Sequence, residues 1–572
     1  MKLVIIGGVA GGAAAAARAR RLSEDAEIII IERGEFISFA NCGLPYYIGG
    51  EIVDRGKLLV ATPQLFKNRF RVDVRLNSTV TAIDRSRKTV TVKKQDGTTY
   101  DESYDKLVVS TGAEPVRPDI PGIDSERIFT LRTIPDMDRI VEQVETNDTG
   151  RAMVIGGGFI GLEMAENLKK RGLDVAIVEK FSQVMPAYDR EMAEHLHREI
   201  EQNHVALFLN TGVISFKDNG KGVEVALDNG QITEVDFVII AIGVKPESSL
   251  AEDAGLDTGL RGAIAVDSHM RTSDPDIYAV GDAVQISRYI DGKPALLPLA
   301  GPAAKEARVA VNNMFGIDSA FRGIQGTSVC RVFELTAAIT GFNEKMLADA
   351  GIPFDKVYVH PANHVGYFPG SFQMTLKVLY NSDNGRVLGA QCIGPAGIDK
   401  RIDVISMAIQ GKMTMDDLAE AELCYAPPYG AAKDPVNFAG YVAQNKEDGV
   451  MPLTHWDTIA DMNPDEYIVL DVRTSLERSA GKVPGSVHIP VDDLRDRLDE
   501  LAVYRDRLIL PHCAVGIRSY IAARILKHNG FNVANISGGF RTYCQFHPEE
   551  CHKLTRVHEL RESFCTTPRG IE

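Results

Sequence analysis

Two glycine-rich turns, each set between an apolar strand and a helix, constrain this chain more than any other feature. In the first, Leu3-Val4-Ile5-Ile6 runs into Gly7-Gly8-Val9-Ala10-Gly11-Gly12 and an alanine-rich helix, and Glu32 and Arg33 close the next strand, Glu32 lying 20 residues after Gly12. In the second, Met153-Val154-Ile155 runs into Gly156-Gly157-Gly158-Phe159-Ile160-Gly161, and Glu179 and Lys180 end the following strand. Such a unit rests a dinucleotide pyrophosphate on the helix N-terminus, where unpaired N–H groups and the dipole favour anions, and offers its carboxylate to the ribose hydroxyls. One such turn arises readily by chance; two in one chain predict two Rossmann-like dinucleotide-binding domains. Val9 replaces the usual middle glycine, so the first loop must approach the phosphates differently. Glu179 favours a free ribose 2′-hydroxyl and hence NADH over NADPH, while Lys180 works against that preference.

A chain of 572 residues exceeds what one core can organise, so several domains are expected. The predicted class is α/β: a discontinuous first dinucleotide domain (1–115 and 247–322), a second (116–246), an α+β domain (323–443), a linker (444–450), a small α/β domain (451–550) and a partly disordered tail (551–572). The α+β assignment rests on strand-like Gly326 to Phe333 and Met374 to Tyr380, followed by helical periodicity from Ile402 to Met413. A net charge of −15 argues against nucleic acid and anionic membranes as partners. The apolar run Leu3 to Ile6 is far shorter than the roughly 20 residues of a membrane span, and a cytoplasmic location is expected. Eight cysteines without a CxxC pair argue against a disulfide scaffold and against a structural metal site.

Further motifs carry a resemblance. Thr111-Gly112-Ala113, Ala241-Ile242-Gly243 and Ile277-Tyr278-Ala279-Val280-Gly281-Asp282 are similar to the strand-end motifs of the two-dinucleotide-binding disulfide reductase superfamily. That resemblance implies FAD in the first site, NADH in the second, and Asp282 at the flavin ribityl chain. The segment Ser38-Phe39-Ala40-Asn41-Cys42-Gly43-Leu44-Pro45-Tyr46-Tyr47 stands where the superfamily carries its redox centre, with one cysteine and not two. A thiol at a helix N-terminus beside a flavin is expected to have a lowered pKa, and the thiolate is the attacking species. Cys330, Cys392 and Cys424 lack such a setting.

The string Phe39 to Tyr46 resembles coenzyme A disulfide reductases. The resemblance implies coenzyme A binding by Ser38, Asn41 and Lys433, and Arg18, Arg20 and Arg21 form a basic cluster suited to its phosphates. It also gives a catalytic role to Tyr367 and Tyr425 across the subunit boundary of a homodimer.

At the C-terminal end, Leu470-Asp471-Val472-Arg473-Thr474, Gly481 to Ser486 and Cys513-Ala514-Val515-Gly516-Ile517-Arg518-Ser519 resemble a rhodanese domain. A cysteine opening a loop of inward N–H groups makes an anion cradle for a thiolate or persulfide, and Arg518 holds that loop or a sulfur-donor anion. The expected function is reduction by NADH, through FAD and Cys42, of coenzyme A persulfide, coenzyme A disulfide or polysulfide, with Cys513 carrying sulfur. The sequence does not rank these acceptors or a glutathione persulfide. The nearest alternative is an NADH oxidase or peroxidase cycling Cys42 through sulfenic acid; those relatives carry a histidine in the first glycine loop, where this chain has Ala10.

Overall fold

The computed structural model describes residues 1–146, 150–551 and 565–566. Most of the predicted tail therefore lies outside the described residues. The described residues form two compact units: 1–146 and 150–180 with 211–325 and 565–566, and 181–210 with 326–551.

In the first unit, strand β1 (Lys2–Ile6), helix α1 (Ala10–Leu22) and strand β2 (Glu27–Ile31) form the expected opening. A 3-10 turn, Asn41–Gly43, leads into α2 (Leu44–Ile48). Strands β3 (Asp73–Arg75), β4 (Lys106–Val109), β5 (Ile128–Phe129) and β6 (Arg151–Ile155) follow. After them come α3 (Phe159–Lys170), β7 (Asp174–Val178), β8 (Phe237–Ile240), β9 (Ile277–Ala279) and α4 (Ala300–Met314).

One parallel sheet has the order β9-β4-β1-β2-β3, and a second contains β7-β6-β8-β5, also parallel. Leu3, Val4, Ile5 and Ile28 to Ile31 are buried in the first, Val154, Val175 and Ile239 in the second. Such near-continuous apolar strands suit sheets covered on both faces.

The second unit holds an antiparallel sheet of β10 (Ser328–Val332), β11 (Leu335–Gly341), β12 (Asp355–Val359), β13 (Thr375–Tyr380) and β14 (Val387–Gly394), in the order β10-β11-β14-β13-β12. Helices α5 (Ile398–Gln410) and α6 (Pro435–Glu447) follow. Helix α6 runs through residue 447, so the chain is helical across the first half of the expected 444–450 linker. Gln444, Asn445 and Lys446 are half-buried on that helix and Glu447 is exposed, so these polar residues do not form a loop. Beyond it come α7 (Trp456–Ala460), β15 (Tyr467–Asp471), β16 (Val487–His488), β17 (Leu508–His512), α8 (Ile517–His528), α9 (Gly539–Phe546) and α10 (Pro548–Cys551). The strands pair in parallel in the order β16-β15-β17. The fold class is thus the α/β and α+β combination expected. No helix among the described residues is long and apolar enough to cross a membrane.

Cys544 and Cys551 form a disulfide, one local bridge and not a disulfide scaffold. The two sit seven residues apart, and the break between α9 and α10 brings them together. Cys330 and Cys392 are buried thiols and Cys424 an exposed one.

Candidate active site

The two glycine turns repeat one design. A Cβ on Gly12 would lie 1.9 Å from the Gly7 carbonyl oxygen, and one on Gly161 would lie 2.0 Å from that of Gly156. Only glycine therefore lets each helix start this close to its strand. The Gly8 N–H donates to Glu32 Oε2, and the Gly157 N–H to Glu179 Oε2, each at 2.7 Å. These bonds fix both carboxylates at the loop while leaving lone pairs for ribose hydroxyls. Neither α1 nor α3 has an acidic residue in its first turn, so nothing repels a pyrophosphate there. Both cradles fit a dinucleotide.

Around them, Gly112, Gly243 and Gly281 adopt left-handed backbone at the strand ends, which re-aims the chain across the site. Ala113 is buried, and Thr111 and Arg132 gather at Glu247: the Thr111 hydroxyl donates to its carbonyl and Arg132 pairs with its carboxylate at 3.2 Å. Arg33 forms a two-point pair with the same Glu247, while Lys180 is exposed. Gly158 caps α3, which begins at Phe159 and Ile160. Ala10 opens α1 directly after Val9, and Gly11 is packed against Ser110 and Val280.

Cys42 is exposed in the turn before α2, and its N–H donates to Asn41 Oδ1 at 3.1 Å. Ser38 is held at a positive φ of 48°, a strained backbone of the kind found at functional sites. Two carboxylates, Glu163 of α3 and Asp282 after β9, act on the thiol through space. Desolvation by the protein wall, then Glu163 and Asp282, push the Cys42 thiol up, whereas the lowering expected from the sequence was that of a thiol beside a flavin. These carboxylates come from distant chain segments, so the local motif gave no sign of them. Burial likewise raises Asp282. The Tyr46 hydroxyl donates to Glu163 Oε1 at 3.1 Å, a partner the sequence did not suggest.

The arginine cluster divides. Arg20 is buried and donates to the carbonyls of Phe70, Ser23, Glu24, Ala26 and Arg71. It ties down the end of α1 and has no donor left for a phosphate. Arg18 donates to Asn312 Oδ1 at 2.7 Å, and Arg21 is exposed above Phe70. Arg308 stands close enough to help lower Arg18, after desolvation as the main cause. Arg21 and Arg308 are exposed beside Arg18, so the cationic group here is Arg18, Arg21 and Arg308 without Arg20.

In the second unit, the hydroxyls of Tyr367 and Tyr425 are 3.2 Å apart and both rings are exposed. Arg401 underlies them: its buried guanidinium binds the Asn363 carbonyl and Asp434, each at 2.8 Å, joining the two loops that carry the tyrosines. Asp434 also caps α6, which leaves the preceding Lys433 exposed.

Cys513 follows β17 and is buried, and the Gly516 N–H donates to its Sγ at 3.1 Å. Arg518 faces this sulfur while its guanidinium makes a two-point pair with Glu477, at 2.8 and 2.6 Å. The Arg518 bonds hold the Glu477 carboxyl at about 2. Glu477 was invisible as a site residue in the sequence, where it reads only as the third residue of a capping box with Thr474.

Residues 1–306 match the pyridine nucleotide-disulphide oxidoreductase family, 327–434 its dimerisation domain and 456–545 the rhodanese-like domain. A coenzyme A disulfide reductase from Staphylococcus haemolyticus is 36% identical over 446 residues, covering 78% of this chain and 99% of that protein. The fold is similar to that of reduced Bacillus anthracis CoADR-RHD, with TM-score 0.93 and 46% identity over 96% of this chain and 98% of that one. It is also similar to a NAD-dependent persulfide reductase from A. fulgidus, with TM-score 0.89 and 40% identity over 95% of this chain and all of that one.

Proposed function

The chain belongs to the pyridine nucleotide-disulphide oxidoreductases, and on that premise we propose that it is an NADH-dependent reductase of sulfane-sulfur and disulfide substrates acting through Cys42. Membership of the family implies FAD and NAD(H). The observation that carries the reading is the setting of Cys42: an exposed thiol in the turn before α2, with Asn41 beside it and the strained Ser38 four residues earlier, in the unit that holds both glycine cradles.

The flavin, when bound, supplies the two-electron relay between nicotinamide and sulfur. Gly7 to Gly12 and Glu32 would hold it, and Gly156 to Gly161 and Glu179 the nicotinamide dinucleotide. Cys42 as thiolate attacks a coenzyme A persulfide or disulfide; an S–S bond forms to Cys42 while hydrosulfide or a thiolate leaves. The overall balance for a persulfide is NADH, a proton and R–S–SH giving NAD⁺, R–SH and H₂S. Coenzyme A phosphates fall to Arg18 and Arg21, and Ser38 and Asn41 flank the reacting sulfur. Glu163, bonded to Tyr46 and acting electrostatically on the thiol, takes its proton. In a homodimer, Tyr367, Tyr425 and Lys433 serve the partner's site. Cys513, with Arg518 and the Gly516 N–H, carries sulfane sulfur as a persulfide, with coenzyme A as the mobile carrier.

The test is NADH consumption with coenzyme A persulfide, coenzyme A disulfide, polysulfide, oxygen and peroxide as acceptors, in wild type and Cys42→Ser. Sulfur acceptors are expected to be used at least tenfold faster than oxygen or peroxide and to depend on Cys42. Preference for oxygen or peroxide would instead establish an oxidase or peroxidase.

A further inference from the structure

The segment Ser537 to Thr542 faces two ways. Inward, the N–H groups of Phe540 and Arg541 donate to the carbonyls of Cys513 and Ala514 at 2.7 and 2.9 Å, so the start of α9 holds the sulfurtransferase loop. A Cβ on Gly539 would meet the Cys513 carbonyl oxygen at 2.6 Å, which shows how closely the two backbones pack. Outward, the same segment is bonded to the antiparallel sheet of the dimerisation domain. The Tyr358 N–H donates to Ser537 Oγ at 3.1 Å, and Arg541 donates to Gln373 Oε1 at 2.7 Å. The His360 ring joins Thr375 Oγ1 through Nδ1 at 3.0 Å and Thr542 Oγ1 through Nε2 at 2.9 Å. His360, Thr375, Ser537 and Thr542 are all buried.

Burial makes this seam exacting. A neutral imidazole has one donor and one acceptor nitrogen, so one threonine accepts and the other donates, and neither ring nitrogen is left over. With both bonds made, Thr542 is fixed on β12 and β13, and two residues earlier Phe540 is fixed on Cys513.

We propose that His360 and Thr542 are positioning residues for Cys513, so that the dimerisation sheet supplies the outer support of the sulfurtransferase loop. This rests on the reading of Cys513 as a sulfur carrier. The sulfurtransferase module is then docked in one register on that sheet and does not swing, so sulfur reaches Cys513 on a diffusible carrier.

The test uses the full-length, cofactor-loaded protein and thiosulfate as sulfur donor. The Cys513 thiolate takes the outer sulfur of thiosulfate and releases sulfite; cyanide then takes that sulfur as thiocyanate and restores the thiolate. Thr542→Val removes the hydroxyl at constant shape and is expected to lower kcat for thiocyanate formation at least tenfold. Cys513 alkylation at fixed pH should slow severalfold as the sulfur loses its alignment with the Gly516 N–H. Thr542→Ser should recover both, and NADH-driven disulfide reduction should stay within twofold. Gln373→Ala, at an exposed position and so harmless to folding, should give a smaller change in the same direction. Transfer and alkylation unchanged in both Thr542→Val and Gln373→Ala would overturn the proposal alone. A wild-type chain with no Cys513-dependent transfer would overturn the sulfur-carrier reading and the proposal with it.

Discussion

Tyr367 and Tyr425 present their phenolic oxygens to each other across 3.2 Å, from two loops that share Arg401 as a buried tie. The bond to Tyr425 raises Tyr367 above its ordinary value. Of two bonded phenols, the one that donates is held as a weaker acid, and the one that accepts keeps its own proton to donate to a departing thiolate or hydrosulfide.

Replacing either tyrosine by phenylalanine should therefore lower turnover with sulfur acceptors by about 10²-fold, the lower end of what a positioned acid contributes. Both rings are exposed, so thermal stability should not change. Steady-state kinetics and a melting curve on the same preparations check the two halves; Tyr425→Phe with wild-type turnover would remove the pair from the mechanism.

The raised Cys42 thiol yields a second expectation. Glu163→Gln keeps the hydrogen bond from Tyr46 but removes one of the two charges that oppose ionisation. The Cys42 alkylation profile should move to lower pH, while NADH-driven reduction slows as the proton acceptor is lost. Alkylation that does not respond to this substitution would mean that desolvation alone sets the thiol.

The parts of this site legible in the sequence are those where the chemistry is local. Gly12 and Gly161 are demanded by carbonyls five residues earlier, so the glycine spacing alone announces two dinucleotide turns. Cys42 is legible for the same reason. Glu163 and Asp282 act on the thiol through space from chain positions more than a hundred residues away, and only the assembled fold gives them that influence. Arg20 was misassigned although its position held a clue. It lies four residues after Ala16 and seven after Ala13, on the buried face of α1, where a guanidinium finds backbone carbonyls and not a ligand.

Glu306 is almost fully buried on α4, accepts from the Gly281 N–H at 2.7 Å and is pushed up to about 7, chiefly by desolvation. A carboxyl whose folded value exceeds its ordinary 4.5 favours folding when protonated. That contribution is complete below the unfolded value and is lost as pH rises through the folded one. Stability should thus fall between about pH 4.5 and 7, by about 3 kcal/mol. Glu306→Gln keeps the acceptor and should flatten this slope, leaving the variant more stable than wild type at pH 8. Denaturant titrations at pH 5 and pH 8 test it; equal slopes in both proteins would show that Glu306 does not titrate in this range.

The disulfide between Cys544 and Cys551 closes a short loop at the end of α9. Closing a loop of this length in the unfolded chain is worth about 2 kcal/mol in the chain-entropy account. Reduction or Cys551→Ser should lower the melting temperature of the C-terminal module by a few degrees while thiosulfate sulfurtransfer at 25 °C persists, because the Cys513 cradle is built from other bonds. Loss of transfer on mild reduction would instead tie the bridge to the loop.

Lys377 is fully buried in β13, and its ammonium stands 2.7 Å from Asp189 and 2.5 Å from Glu191, bonded also to Glu344 and 5.3 Å from the Tyr358 ring centre. Taking an ammonium out of water is costly, and three carboxylates plus an aromatic face offset that cost here. Removing the cation alone leaves the carboxylates facing one another without a counter-charge. Lys377→Met, close in volume, should therefore cost about 3–5 kcal/mol. Glu344 should respond most visibly, since Lys377 is the largest of the charges holding its carboxyl at about 2. In the variant that carboxyl should take up a proton at higher pH, so the stability deficit should shrink as the solution is acidified. A deficit that is small, or that does not depend on pH, would mean that water or a solute cation replaces the ammonium.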